Sequence, residues 1–425
     1  MGLVEKDLEY VWHPYTHQKN RLPPIPIVGG NGALLVDEYG KEYIDAISSW
    51  WVNLHGHAHP YIAKKIYQQA KVLEHVIFAG FTHKPAVELA EKLIALLPGN
   101  FSKIFYSDNG STSVEVALKM ALQFWVNSRK PERNKILAFN NSYHGDTFGA
   151  MSASSRSVFT KVFEDKLFEV IFIDTPTDSN LQHIRSEIAK HQNEIACFIY
   201  EPLLQGAGGM KIYDGDIFNE LLYFISEQNI ICIADEVLTG FYRTGKFFAS
   251  EYMHHKPDII CLSKGLTGGT MALGVTACTL DIYNCFVSDD KTKTFFHGHS
   301  FTANPIACTA ALASLGLLKK KKCLKKISTI IKRNEKFCAK LKIAKYKKQI
   351  KNVRQLGTIL AFEITSPGGD QYLNNINELF TKFCLSHGVY LRPLGNTIYV
   401  MPPYCITKKQ LKKVFWVIEE FLNTD

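Results

Sequence analysis

Two stretches decide the fold of this chain: Ile230-Ile-Cys-Ile-Ala-Asp-Glu-Val237 and Pro257-Asp-Ile-Ile-Cys-Leu-Ser-Lys-Gly265. Each is an apolar, β-branched run that ends on a charged residue, Asp235 in the first and Lys264 in the second. Such runs read as buried strands of a parallel sheet, and ligands of open α/β sheets sit just outside the carboxyl ends of those strands. One acid and one amine therefore face one crevice. On this pair alone, an ordinary ion pair at strand ends is an equally good reading.

Working outward, helices at 85–97, 111–128 and 216–228 alternate with strands at 103–107, 135–139, 195–200, 230–234 and 258–262. That alternation predicts an α/β fold, with a mostly parallel sheet covered on both faces. Upstream, Gly32 to Ala46 alternates about a turn at Asp37 to Gly40 and reads as a hairpin. Residues 1–30, with Pro14, Pro23, Pro24, Pro26 and Gly29-Gly30, read as an irregular arm. Beyond a long helix at 303–318, strands near 355–364, 388–391 and 397–401 read as a smaller α+β unit. The expected division is 1–58, an arm with part of the small domain; 59–318, the large domain; and 319–425, the rest of the small domain.

At 425 residues, 46% hydrophobic and 21% charged, the composition fits a folded protein large enough for two domains. No apolar run approaches the roughly 18 residues of a membrane span. Acids near the N-terminus and the lack of an apolar signal core predict a cytoplasmic location. Ten cysteines without a Cys-x-x-Cys read as reduced core residues. His55-Gly-His-Ala-His59 has no carboxylate or cysteine at useful spacing, so no metal is expected. The net charge of +9 is local: 319–354 holds 16 Lys and Arg against Glu335 alone, leaving 33 basic and 39 acidic residues elsewhere. With few aromatics and no nucleic-acid motif, that segment reads as a solvated helix face, and neither a nucleic-acid nor a membrane partner is expected.

Several other stretches reach the same crevice. Tyr106-Ser-Asp-Asn-Gly-Ser-Thr-Ser113 turns from a strand into a helix, so Gly110 and Ser111 can meet a phosphate at the helix N-terminus; a plain capped helix is the alternative. Tyr143, in Asn141-Ser-Tyr-His-Gly-Asp-Thr147, can stack on a flat ring. Glu201 ends another strand, and Ser300 precedes the long helix. Gly206-Ala-Gly-Gly209 lacks the spacing of a dinucleotide fingerprint. An amine for an aldehyde, an anion for a ring nitrogen and a phosphate turn together fit pyridoxal phosphate.

With these residues in view, the chain resembles the class III, fold-type I aminotransferases from about residue 10 to 420. The resemblance rests on Asp235-Glu-Val-Leu-Thr-Gly-Phe-Tyr-Arg-Thr-Gly245 and Ser263-Lys-Gly265. It implies a seven-stranded, mostly parallel large domain, a small α+β domain built from both termini, and a homodimer with shared active sites. Trp12-His-Pro-Tyr-Thr16, Ser48-Ser-Trp-Trp-Val-Asn-Leu-His-Gly-His57 and Leu391-Arg-Pro-Leu-Gly395 are similar to a narrower group within it. Its members, in biotin biosynthesis, aminate 8-amino-7-oxononanoate with S-adenosylmethionine. By that resemblance Lys264 bonds the cofactor and moves the proton, Asp235 meets the pyridine nitrogen, and Gly110 and Ser111 hold the phosphate. His299 and Ser300 join them from a second subunit, Glu201 orders the site, and Tyr143 borders the ring. Tyr15, Trp50, Trp51, Tyr143, Gly298 and Tyr399 would wall the substrate beside Lys264, with Tyr15 also catalytic and Arg392 forked onto the carboxylate. Arg243 would hold the donor or pair with Glu251 or another acid. Gly298-His-Ser300 stands where the best-known adenosylmethionine users have Gly-Pro-Thr, which keeps lysine open as donor. An ω-amino-acid or diamine aminotransferase using pyruvate or 2-oxoglutarate is the other reading.

Overall fold

Seven apolar runs form the central sheet, in the spatial order Phe101–Ser107, Gly274–Thr279, Ile259–Leu262, Ile231–Asp235, Ile195–Tyr200, Lys135–Phe139, Val170–Ile173. The computed structural model describes residues 2–19, 21–346, 348–365 and 376–424. Neighbouring strands are parallel except where Gly274–Thr279 runs against its two neighbours. The central strands are buried along their whole length, which is why they read as continuous rather than alternating runs. Successive residues still face opposite cores: Ile231 and Ile233 lie in the one that includes Val114 and Ala117 of helix Gly110–Asn127. Cys232 and Ala234 lie in the one that includes Phe218 and Leu222 of helix Gly215–Glu227.

Both ends of the chain build a second region. Ile27–Asn31, Leu34–Asp37 and Glu42–Asp45 form a sheet completed by Val389–Tyr390, parallel to Glu42–Asp45. Ile350–Leu356, Ile359–Ile364 and Thr397–Val400 form an antiparallel sheet against helix Lys321–Leu341. That helix buries Ile327, Ile330, Phe337 and Leu341 and turns most of its lysines outward; Lys347 of the basic segment lies outside the described residues.

The structure departs from the sequence reading in three places. The arm is not irregular throughout, since Leu3–Tyr10 is helical and Gly29-Gly30 lie in a strand paired with Leu35 and Val36. The single strand expected at 355–364 is a hairpin folded at Gly357. Strands Val170–Ile173 and Gly274–Thr279 were not anticipated. All ten cysteines are free. No described helix is long and apolar enough to cross a membrane.

Candidate active site

Asp235 and Lys264 leave adjacent parallel strands at the same edge. There they line a cavity of about 710 Å³ together with Glu201, Tyr143, Gly110, Ser111 and Trp51. Asp235 is buried, and its Oδ2 lies 2.7 Å from His144 Nδ1, where the ring nitrogen must donate because a carboxylate only accepts. Its Oδ1 accepts from the Val237 N–H at 3.0 Å. The next residue, Glu236, is buried and accepts from the Thr239 hydroxyl and from the N–H groups of Ala249 and Ser250, at 2.6, 3.0 and 2.6 Å. It pins the loop that follows Asp235.

Lys264 occupies the left-handed region, φ +42°, and its Nζ lies 4.5 Å from the centroid of the Trp51 ring. Burial pushes its ammonium down to about 8, against the upward pull of Asp235 and Glu201. Glu201 accepts from the N–H groups of Tyr143 and Gly206, at 3.2 and 2.8 Å. Burial raises its carboxyl to about 7, against the opposing pull of His144 and these backbone bonds. A poised amine therefore faces a fixed anion and a second carboxyl that is partly neutral near pH 7.

On the opposite wall, Asn109 and Thr112 form a reciprocal cap on helix Gly110–Asn127. The N–H groups of Gly110 and Ser111, in its first turn, have no partner within the helix. Ser111 Oγ lies 2.7 Å from Thr147 Oγ1. Gly145, φ +136°, must stay a glycine, since a Cβ there would sit 2.2 Å from Ser111 Oγ. A phosphate-sized anion would meet backbone donors, a hydroxyl and the positive end of the helix dipole.

The mouth is set by an unusual turn. Ser48, Ser49, Trp50 and Trp51 all have positive φ, from +43° to +78°, at a cost of roughly 1–2 kcal/mol per residue. Asp45 holds the turn, accepting from the Ser49 N–H at 2.9 Å and its hydroxyl at 2.8 Å, while the Ser48 hydroxyl donates to Met401 O at 2.8 Å. The two indoles consequently part. Trp51 is buried and its Nε1 donates to the Tyr399 hydroxyl at 2.9 Å. Trp50, Tyr15 and Arg392 do not line the cavity itself but cluster beside it, with the Arg392 guanidinium 4.8 Å from the Trp50 ring centroid and Tyr15 edge-on to that ring at 5.5 Å. The Tyr15 hydroxyl donates to Asp146 at 2.6 Å, and the same carboxylate accepts from the Tyr143 hydroxyl at 2.9 Å.

Some expected positions fall elsewhere. Tyr399 is buried behind Trp51 and supports it rather than walling the cavity. Arg243 is buried and donates to the carbonyls of Pro402, Trp51 and Asn53 at 3.1, 3.1 and 3.4 Å, so it neither reaches the cavity nor pairs with Glu251. Glu251 instead accepts from the Phe248 N–H at 2.9 Å. Gly298, His299 and Ser300, expected from a second subunit, do not line this chain's own cavity, and Ser300 is exposed. His57 does find a carboxylate, Asp45, at 2.9 Å. The sequence reading passed over His144, Asp146 and Thr147, although all three share a loop with Tyr143; their partners are fixed only by the fold.

The class III aminotransferase family model matches residues 15–422. The chain belongs to the class III aminotransferases. The adenosylmethionine-8-amino-7-oxononanoate aminotransferase of Synechococcus elongatus is 44% identical over 97% of this chain and 98% of its own. That of Helicobacter pylori is 37% identical over 99% and 98%. Among solved structures, the enzyme of the same name from Methanocaldococcus jannaschii has a TM-score of 0.93 at 36% identity, covering 98% of each chain. An omega transaminase from Pseudomonas jessenii, solved in complex with PMP, has a TM-score of 0.92 at 25% identity, covering 100% of this chain and 98% of that one. This class III aminotransferase uses pyridoxal phosphate, and its cavity fits that group. An amine, a buried anion and the Gly110 and Ser111 N–H groups beside a side-chain-free Gly145 match an aldehyde, a ring nitrogen and a phosphate.

Proposed function

We propose that this aminotransferase converts 8-amino-7-oxononanoate to 7,8-diaminononanoate with S-adenosylmethionine as amino donor, a step of biotin biosynthesis. The observation that carries the reading is the mouth, where Tyr15 and Trp50 offer aromatic walls and Arg392 a cation over the Trp50 ring. A long apolar chain ending in a carboxylate needs that combination. The full-length likeness to relatives that bear this activity in their names supports it.

Bound pyridoxal phosphate supplies an aldehyde that bonds amines and a ring that accepts electrons. Lys264 would hold that aldehyde, and an amine that burial brings down to about 8 is suited to taking up and giving back a proton at Nζ. Asp235, oriented by His144, presents its charge to the ring nitrogen. Gly110 and Ser111 bind the phosphate. His299 and Ser300 reach it from a second copy in a homodimer, and Gly298 of that copy borders the substrate. Tyr143 would border the ring, Glu201 orders the loop that carries Tyr143, and Tyr15 is tied to Tyr143 through Asp146. Trp51 forms the floor beside Lys264. The enzyme works in the cytoplasm, with its large domain at 59–318 and its small domain built from 1–58 and 319–425.

The test is incubation of the cofactor-loaded protein with 8-amino-7-oxononanoate and either S-adenosylmethionine or lysine, followed by mass analysis of the product. Diaminononanoate formed with S-adenosylmethionine supports the proposal. Product with lysine alone reassigns the donor, and none with either donor refutes the reading.

A further inference from the structure

Ser111 and Glu115 lie one turn apart on the same face of helix Gly110–Asn127, and the loop 145–149 crosses that face. A glycine stands at each crossing: a Cβ on Gly145 would sit 2.2 Å from Ser111 Oγ, and one on Gly149 would sit 2.1 Å from Glu115 Oε2. Between the two glycines, Thr147 bridges the side chains. Its hydroxyl donates to Glu115 Oε1 at 2.5 Å, and its Oγ1 lies 2.7 Å from Ser111 Oγ. The Thr147 N–H donates to Ser111 Oγ at 3.0 Å, and the Ala150 N–H to Glu115 Oε1 at 2.8 Å. The direction of this chain follows from its far end. A carboxylate only accepts, so Thr147 gives its one hydroxyl proton to Glu115 and must take that of Ser111.

Ser111 and Thr147 both line the Lys264 cavity, so a phosphate seated at Ser111 extends the chain by one link. Glu115, Thr147, Ser111 and the phosphate then make three links, and the two hydroxyls fill only two of them. A phosphate group loses its second proton at about pH 6, so above that both ends of the chain are acceptors. We propose that seating the cofactor phosphate at Ser111 draws one proton from solvent into this chain, and that Glu115 thereby makes cofactor affinity fall as pH rises. This holds only where the phosphate sits at Ser111, as proposed above. With the third proton present every link has a donor: the Glu115 carboxyl to Thr147, Thr147 to Ser111, and Ser111 to the phosphate. The ionisable groups that face Glu115 are few. Helix Phe148–Ala153, packed on this face, has none, and Asp146 in the loop already accepts from Tyr15 and Tyr143. Lys119, one turn beyond Glu115, meets His297 Nδ1 at 3.0 Å. Burial and Lys119 lower the proton affinity of that ring, and Glu115 pulls it upward.

The test titrates the full-length, cofactor-free protein with pyridoxamine 5′-phosphate, which has no aldehyde for Lys264. Calorimetry at about pH 8, in buffers of different ionisation heat, counts the protons taken up on binding. Glu115→Gln supplies the missing hydrogen from its own amide, and Thr147→Val breaks the chain. Each should take up about one proton fewer than the parent, whereas Thr147→Ser should match the parent. Changes at Lys264 and Asp235 are common to all four proteins and cancel. Between about pH 7 and 8.5, the ratio of the parent's Kd to either variant's should rise roughly tenfold per pH unit, and the rise should disappear below about pH 6. Equal uptake by the parent and either variant would overturn the proton chain, and the two Thr147 variants decide the matter should Glu115→Gln not fold. Ser111→Ala separates this idea from the phosphate position. Binding as tight as the parent's would remove the phosphate from Ser111 and the proton chain with it. Weaker binding by Ser111→Ala, together with equal proton uptake by the other proteins, would leave the phosphate in place and sink the chain alone.

Discussion

Lys264 lies under opposed influences: burial strips its proton, while Asp235 and Glu201 help to retain it. Its folded value, about 8, lies below the ordinary 10.5. Between those two pH values the unfolded chain binds the extra proton, so this residue makes the cofactor-free fold more stable as pH rises through that window. Below it, both states are protonated and the full penalty of the buried ammonium remains. Lys264→Met should therefore abolish turnover and leave the cofactor-free protein at least as stable at pH 7, as read from its urea midpoint. Labelling of Lys264 by an amine-directed reagent should rise with pH about a midpoint near 8. In Asp235→Asn that midpoint should fall, because the anion favouring the ammonium is gone; an unchanged or raised midpoint would sever the proposed link between the two residues.

At the scale of elements, the hairpin at Gly357 offers a sharp test of packing. Gly357 has φ +56°, and a Cβ there would lie 2.2 Å from the Thr244 carbonyl carbon and 2.5 Å from the Arg243 oxygen. Gly357→Ala should cost about 3 kcal/mol or more, since both the backbone conformation and the neighbouring main chain resist it; a urea midpoint within error of the parent would contradict that. The same hairpin shows what the sequence conceals. Gln355-Leu-Gly-Thr-Ile359 reads as an unbroken strand, because one glycine among apolar residues is compatible with strand or turn. By contrast, the strands that lead to Asp235 and Lys264 were legible, since full burial writes itself as an uninterrupted β-branched run. The turn from strand into helix Gly110–Asn127 was legible too, because Asn109-Gly-Ser-Thr112 joins a capping residue to a glycine. The left-handed turn at Ser48 to Trp51 carries no glycine to announce it. Its stability comes from Asp45 and from Met401, 353 residues further on from Ser48. The partners of Arg243 were hidden for the same reason, as the carbonyls it binds converge only after folding.

Across the whole molecule, the mouth is assembled from four distant parts of the chain, contributing Tyr15, Trp50, Tyr143 and Arg392. Arg392 Nη2 donates to the Tyr15 carbonyl at 3.4 Å across 377 residues of sequence. Such a site exists only when the arm and the C-terminal region have docked against the central sheet. Arg392→Ala should raise the KM for 8-amino-7-oxononanoate roughly thirtyfold, equivalent to about 2 kcal/mol of lost carboxylate binding; steady-state kinetics at saturating donor would read it. Selection of a long apolar acceptor is the property that this mouth should confer. It is tested most directly by converting the enzyme to its amino form and mixing it in a stopped-flow spectrometer with 8-amino-7-oxononanoate, pyruvate or 2-oxoglutarate. Rapid return of the pyridoxal absorbance is expected with 8-amino-7-oxononanoate, and a far slower return with the two short oxo acids. A return as fast or faster with pyruvate or 2-oxoglutarate would contradict it.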